Sequence, residues 1–164
     1  MKAVLDSSVF IALSKTGHLR LLKNLFQEII VPQAVYEEIR VKGMGLTGDR
    51  ELGEAVSRGE VTVKEPKDHK MVAALIDPLG KGEAEAITLA IEEKADSLIM
   101  DDRLARRKAI SMGIPISGTL RVLRMMYDLK LYSLNEFVET LQTLKNIGFH
   151  IGDDVIKRVS NLHE

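Results

Sequence analysis

Five acidic residues lie where an open α/β sheet would bring their side chains to one edge. They are Asp6, Glu38, Glu83, Asp101 and Asp102. Asp6 follows the apolar run 3–5 and Asp101 follows the largely apolar run 97–100, so each lies at the carboxyl end of a predicted strand, where parallel sheets bind ligands. Glu38 and Glu83 lie in predicted helices that begin near the ends of other strands. Because crowded carboxylates repel one another, the pattern predicts a hard divalent cation among them and phosphoryl-transfer chemistry.

Asp6 is followed by two serines, and such a run is also typical of a helix N-cap. The place of Asp6 in the first βα turn instead favours a role at the centre of a ligand-binding site. Ser8 would then support the carboxylate or a metal-bound water, and we count it among the predicted substrate-binding residues.

Two of the acids have an acidic neighbour that could take their role. Glu37 and Glu38 both lie off the centre of the apolar stripe of their helix, so periodicity does not choose between them. Glu83, in contrast, precedes the apolar residues 86, 87, 90 and 91 at helical spacing, which predicts that it points along the buried face. The same angular count predicts that Glu85 points to solvent.

Asp101 and Asp102 end the same predicted strand. Alternation places them on opposite faces if the strand continues, and Asp102 is also a good N-cap for the next helix. We favour Asp101 as the metal-side carboxylate and Asp102 as a cap or outer ligand, although the reverse assignment stays open.

Short apolar strands alternate with helical patterns, which predicts a three-layer α/β/α fold with a central parallel sheet of about five strands. The predicted strands are 2–5, 28–31, 61–64, 97–100 and 114–117. The predicted helices are 8–14, 19–26, 32–40, 49–58, 82–94, 102–112, 119–129, 134–146 and 153–162. Pro32 is predicted to open its helix and Gly113 to end one. The glycine-rich segment 41–48 is predicted to be a surface loop or a flap beside the substrate.

Composition limits the classes of function. The 164 residues fit one domain, 1–164, with 130–164 expected to form a C-terminal helical extension packed on it. The absence of cysteine excludes disulfides, thiolate zinc sites and cysteine nucleophiles. The net charge of −1 means that nucleic acid would need a local basic patch, and 4% aromatic residues without Trp argue against a base-stacking platform. No membrane span or secretory pattern is seen, so we expect a cytoplasmic protein.

A local basic patch follows the fourth predicted strand. Arg103, Arg106 and Arg107 share one face of the helix after Asp101, which predicts contacts with phosphates. Thr119 opens a helix after Gly118 and is a further candidate for a phosphate or water contact. The four histidines, His18, His69, His150 and His163, show no metal-ligand spacing and are predicted to be surface or loop residues.

Taken together, these segments resemble PIN-domain proteins of the VapC-like ribonuclease toxin superfamily. The similar segments are residues 4–8 (VLDSS), 31–39 (VPQAVYEEI), 82–87 (GEAEAI) and 98–103 (LIMDDR). The resemblance covers roughly residues 1–130, and the GEAEAI run is similar to that of a small prokaryotic branch. It also selects Glu38 over Glu37.

The resemblance implies a ribonuclease dependent on Mg²⁺ or Mn²⁺, often the toxin of a toxin–antitoxin pair. It implies Asp6, Glu38, Glu83 and Asp101 as catalytic acids, with Asp6, Glu83, Asp101 and Asp102 toward the metal. It further implies sheet order 3-2-1-4-5, RNA as the substrate, an antitoxin partner and a homodimer. The apolar residues of the last two helices would complete the core, form that dimer surface or hold a partner helix.

Two other classes compete with this interpretation. One is a non-catalytic module that binds RNA or a protein partner through a degenerate site. The other is a receiver-type or dehalogenase-like phosphoryl-transfer domain with Asp6 as nucleophile. Ser8 and Ser117 disfavour the second, because they stand where those proteins need Asp and Lys.

Overall fold

The computed structural model describes residues 1–162 and contains a five-stranded sheet in which every neighbouring pair is parallel. The strands are β1 Lys2–Leu5, β2 Glu28–Pro32, β3 Thr62–Lys64, β4 Ser97–Ile99 and β5 Ile116–Ser117. Their order across the sheet is β3-β2-β1-β4-β5. The predicted fold class and strand order are therefore confirmed.

Helices cover both faces of this sheet. They are α1 Ser7–Lys15, α2 Gln33–Glu37, α3 Asp49–Ser57, α4 His69–Leu75, α5 Lys81–Glu92, α6 Arg103–Ser111, α7 Thr119–Asp128, α8 Leu134–Asn146 and α9 Asp153–Ser160. A 3₁₀ helix spans Leu19–Asn24, and a π-helical segment, Glu38–Lys42, continues α2. Among the described residues no helix is long and apolar enough to cross a membrane.

Several elements differ from the predicted ones; the predicted helix 19–26 is the 3₁₀ helix, and the predicted strand 114–117 is only β5. Pro32 does not open a helix, because its backbone is extended and pairs with Lys64 as the last residue of β2. The single helix predicted for 32–40 is α2 followed by the π-helical segment, which carries Glu38 at its first position. The short helix α4 was not predicted; Asp68 caps it by accepting a hydrogen bond from the Met71 N–H at 2.9 Å.

The core lies in two clusters, one on each face of the sheet. Along β1, Ala3 and Leu5 face the first cluster while Val4 faces the second, as alternation in a strand requires. The first cluster is covered by α1, α3, α7 and α8, and the second by α4, α5 and α6. From α8 the first cluster receives Phe137, Leu141 and Leu144, so this C-terminal helix completes the core.

Strand register determines which side chains meet at the carboxyl edge. Leu5 of β1 is paired with Ile99 of β4, and the Asp6 N–H donates to the Ile99 carbonyl at 3.1 Å. The residues after these two central strands therefore leave the sheet side by side. This arrangement positions Asp6 and the Asp101–Asp102 pair at one edge.

Candidate active site

Asp6 is a buried carboxylate at the junction of β1 and α1. Its side chain is only 3% exposed, and the Ser8 hydroxyl donates to Oδ2 at 3.3 Å. Burial raises the pKa of Asp6 to about 7, and the negative charges of Glu83 and Glu38 raise it further toward that value, while contacts with the Ser7 N–H and the Ser8 hydroxyl lower it. Asp6 does not cap α1 with its side chain. The carboxylate therefore lies close to two other acids in a place where its charge is poorly solvated.

Glu38 reaches this region from the start of the π-helical segment and is exposed. Its carboxylate lies near Gly82 of α5, where an added Cβ would be 3.4 Å from both Glu38 Oε1 and a methyl carbon of Val35. The start of α5 and the segment that carries Glu38 are therefore packed within ordinary contact distance at this point. Single-turn π-helical distortions frequently occur at functional sites.

Glu83 lies in the first turn of α5 and is half-buried. Its carboxylate folds back over Gly80, where any side chain would collide with Glu83 Oε2. Its negative charge contributes to the raised pKa of Asp6, so Glu83 lies near that carboxylate although it is only half-buried.

Glu85 does not point to solvent, and that prediction is wrong. Its side chain is 4% exposed, and its Oε2 accepts a hydrogen bond from the Ala34 N–H, the second residue of α2, at 2.7 Å. Nearly every residue from Gly82 to Ala90 is buried, so α5 has no solvent-facing side here. A prediction that assumes a single buried stripe on the helix therefore fails. Burial raises the pKa of Glu85, and the bond from Ala34 partly opposes that increase.

Asp101 is held by the start of α7. Its Oδ1 accepts from the Thr119 N–H at 2.9 Å and its Oδ2 accepts from the Thr119 hydroxyl at 2.6 Å. A Cβ on Gly118 would lie 2.7 Å from Asp101 Oδ1, so a glycine is needed for this approach. Thr119 is completely buried, and its two donors are engaged by Asp101 instead of being open to a phosphate as predicted.

Asp102 serves as the N-cap of α6, since its Oδ1 accepts from the Ala105 N–H at 2.8 Å. The strand ends at Ile99, so alternation no longer governs the two aspartates. Asp102 is exposed and Asp101 is half-buried, and both line the same groove. The structure therefore gives the two acids different local roles, a cap for Asp102 and a contact to α7 for Asp101.

The predicted basic face of α6 divides between two cavities. Arg106 is half-buried, donates from Nη1 to the Met100 carbonyl at 2.9 Å, and lines the groove that contains Asp101. Arg107 instead lines a separate cavity beside Leu75 and Leu79. Arg103 is exposed and lines neither cavity. Of the three predicted arginines, Arg106 is the one that the fold brings beside the acids.

The donor chemistry of the acidic cluster fits a hard cation. Carboxylate oxygens are the ligands that Mg²⁺ prefers, and the charged form of Asp6 is disfavoured mainly by burial and further by Glu83 and Glu38. Among the described residues, however, no three His, Asp or Glu side chains stand in an arrangement that could hold a metal ion. Glu38 is exposed and Glu83 half-buried, so both long side chains have room to move toward Asp6.

Sequence patterns did not indicate three further residues of the groove. Arg121, Phe149 and His150 line it together with Ser8 and the two aspartates. Phe149 and His150 lie in the connection between α8 and α9, far along the chain from the acids, so only the tertiary fold brings them there. His18 is elsewhere, with its ring against Tyr132 at a centroid distance of 5.0 Å, and His163 lies outside the described residues.

Comparison with known families identifies a match that spans almost the whole chain. The family model described as DUF3368, a PIN domain, matches residues 2–164. No curated protein matches the chain significantly.

Proposed function

This chain belongs to the PIN-domain family DUF3368 and has the nuclease-type fold of that family, and on this premise we propose that it is a metal-dependent ribonuclease. The observation that carries the proposal is the state of Asp6. A carboxylate at the carboxyl edge of the sheet is buried beside Glu83 and Glu38, and its pKa is raised to about 7. Such crowding is unfavourable in the absence of a cation and favourable in its presence.

Asp6, Glu83, Glu38 and Asp101 are the residues that we propose hold Mg²⁺ or Mn²⁺. The bound ion would supply Lewis-acid activation of water and charge stabilisation for hydrolysis of an RNA phosphodiester. Asp6 is placed at the centre of the site, because its N–H donates to the Ile99 carbonyl of β4 and Ser8 contacts its carboxylate. Thr119 holds Asp101 in one orientation.

Arg106 supplies positive charge beside these acids. One of its nitrogens is used by the Met100 carbonyl, which leaves other N–H groups of the guanidinium for a phosphate. Its place in the groove next to Asp101 suits a role in positioning the RNA backbone.

The experiment that tests the proposal is cleavage of a mixed pool of single-stranded and structured RNAs in Mg²⁺, Mn²⁺ or EDTA. Wild type is expected to cleave only with metal, and Asp6→Asn and Glu83→Gln are expected to lose cleavage while remaining folded. Glu139→Gln is the matched control, since Glu139 is an exposed acid on α8 outside the site, and it should cleave as wild type does. Cleavage that persists in EDTA or in both site variants would contradict the proposal.

A second function is a non-catalytic module that binds RNA or a protein through a degenerate site. The observation in its favour is that no ready three-ligand group exists among the described side chains. This alternative predicts that the chain binds RNA or a protein partner but cleaves no RNA at millimolar Mg²⁺.

The toxin role, the antitoxin partner and the homodimer stay predictions that follow from the resemblance. Sedimentation of the purified chain tests the dimer. Growth arrest on expression, relieved by Asp6→Asn, tests the toxin role.

A further inference from the structure

A groove of about 610 Å³ extends from the acidic cluster toward the C-terminal part of the chain. Its volume is within the ~300–1,000 Å³ typical of ligand-binding clefts. Ser8, Asp101 and Asp102 lie at the acidic end, and the connection 148–150 between α8 and α9 forms another part of the wall. The groove therefore shares Asp101 with the proposed metal site, while the rest of its wall comes from α6, α7 and the connection 148–150.

Two guanidinium groups line this groove without being neutralised. Both arginines lie on helices that carry other charged residues. Neither Arg106 nor Arg121 forms an ion pair with any described residue. Arg124, one turn after Arg121 on α7, is instead paired with Asp128 at 2.8 Å. Arg106 on α6 and Arg121 on α7 thus give the groove unpaired positive charge that would attract an anionic ligand.

Phe149 adds an aromatic surface to the same wall. It is half-buried and packs against the first core cluster, and its backbone is fixed by bonds to the Leu144 carbonyl at 2.9 Å and from the Ile151 N–H at 3.0 Å. Phe149 nevertheless lines the groove, as do exposed His150 and half-buried Leu120. A ring held in this way offers a face for stacking at little entropic cost.

Resting on the ribonuclease proposed above, we propose that this groove is a nucleotide subsite for single-stranded RNA. A base stacks on Phe149, and the adjoining phosphates lie against Arg121 and Arg106 and lead the strand to the carboxylates. The strand must be single, because a base paired inside a duplex cannot present its face to a side chain. The subsite would determine which RNA strands are cleaved and how far the cleaved bond lies from the stacked base.

Binding without cleavage tests the subsite. Fluorescence anisotropy in EDTA, in the Asp6→Asn background, would give the affinity for a labelled single-stranded RNA and for a duplex of the same sequence. Phe149→Leu keeps an apolar side chain but removes the ring, and it should weaken single-strand binding about tenfold with little effect on the duplex. Arg121→Ala should reduce the slope of log affinity against log salt by about 0.7, the value for one phosphate contact to a single strand.

The controls separate this role from general charge and from stability. Arg124→Ala removes an arginine from the same helix that is already paired, and it should leave the salt slope unchanged. Thermal unfolding of each variant identifies loss of folding.

The outcomes distinguish the subsite from the nuclease. If folded Phe149→Leu and Arg121→Ala bind the single strand as their parent does, or if the parent binds no single strand, the subsite is wrong even where wild type cleaves RNA. If both variants lose binding as stated while wild type cleaves nothing in any metal, the subsite stands and the nuclease fails.

Discussion

Asp6 carries a charge that is unfavourable in the folded protein without a cation. Burial, with added repulsion from Glu83 and Glu38, raises its pKa from 3.8 to about 7. An acid whose pKa is raised on folding binds more protons in the folded state, so it reduces stability as pH rises from about 4 to about 7. Below about pH 4 the Asp6 carboxyl is neutral in both the folded and the unfolded state, so it does not reduce stability.

The raised pKa of Asp6 predicts how the Asp6→Asn substitution changes stability in EDTA. The variant should be more stable than wild type at pH 8 by a few kcal/mol, on the order of 1.4 kcal/mol for each unit of pKa shift. The difference should shrink toward pH 4, and Mg²⁺ should reduce it at pH 8. Urea unfolding across this range measures it, and a difference that does not change with pH would contradict the burial of a charged Asp6.

Thr119 has a role that its sequence position alone did not show. Its hydroxyl is buried and donates to Asp101, so Thr119→Val should leave a carboxylate oxygen without its partner and lower the free energy of unfolding by about 1–3 kcal/mol. Thr119→Ser keeps the donor and should lose less. Chemical denaturation compares the two, and equal losses would show that the hydroxyl bond to Asp101 contributes nothing.

At the scale of elements, α5 contributes to the site twice. Glu83 points to Asp6, and two residues later Glu85 caps α2, the helix that leads into Glu38. Glu38 Oε1 also lies within ordinary contact distance of a Cβ placed on Gly82 in the same helix. We therefore expect Glu85 to position Glu38 from the helix that carries Glu83.

Variants of Glu85 test this positioning role. Glu85→Ala removes the acceptor of the buried Ala34 N–H and should cost about 1–3 kcal/mol of stability, whereas Glu85→Gln keeps a carbonyl acceptor and should cost less. If Glu85 orients Glu38, Glu85→Ala should also weaken Mn²⁺ binding, and Glu85→Gln should restore most of it. Equal Mn²⁺ affinity in folded Glu85→Ala and wild type would limit Glu85 to stability alone.

The limits of sequence-based prediction follow from these same elements. Apolar runs ended by an acid identified β1 and β4, because a buried strand and a polar residue at its end are local features. The orientation of Glu85 was predicted wrongly because α5 is enclosed by both the sheet and α2. A helix that is buried on more than one side has no single apolar stripe from which to infer its solvent face. Arg121 and Phe149 were missed because their proximity to Asp101 depends on how α7 and α8 pack, which no local pattern records.

At the scale of the whole molecule, the strand order explains why distant acids meet. Placing β4 beside β1 brings Asp6 and Asp101 to one edge although 95 positions separate them in the chain (101 − 6). The net charge of −1 gives no general attraction for nucleic acid, so RNA binding would need a local cluster of positive charge, and the arginines along the groove are our proposed one. The fold thus places negative charge for a cation and positive charge for phosphates next to each other.

The most direct test of the proposed metal centre is a titration of wild type and Asp6→Asn with Mn²⁺. Electron paramagnetic resonance measures the free ion at each step. Wild type is expected to bind one or two ions per chain at submillimolar to millimolar Mn²⁺, and Asp6→Asn is expected to lose them while it remains folded. Wild type that leaves all of the Mn²⁺ free at millimolar concentration would contradict the metal centre and favour the non-catalytic module.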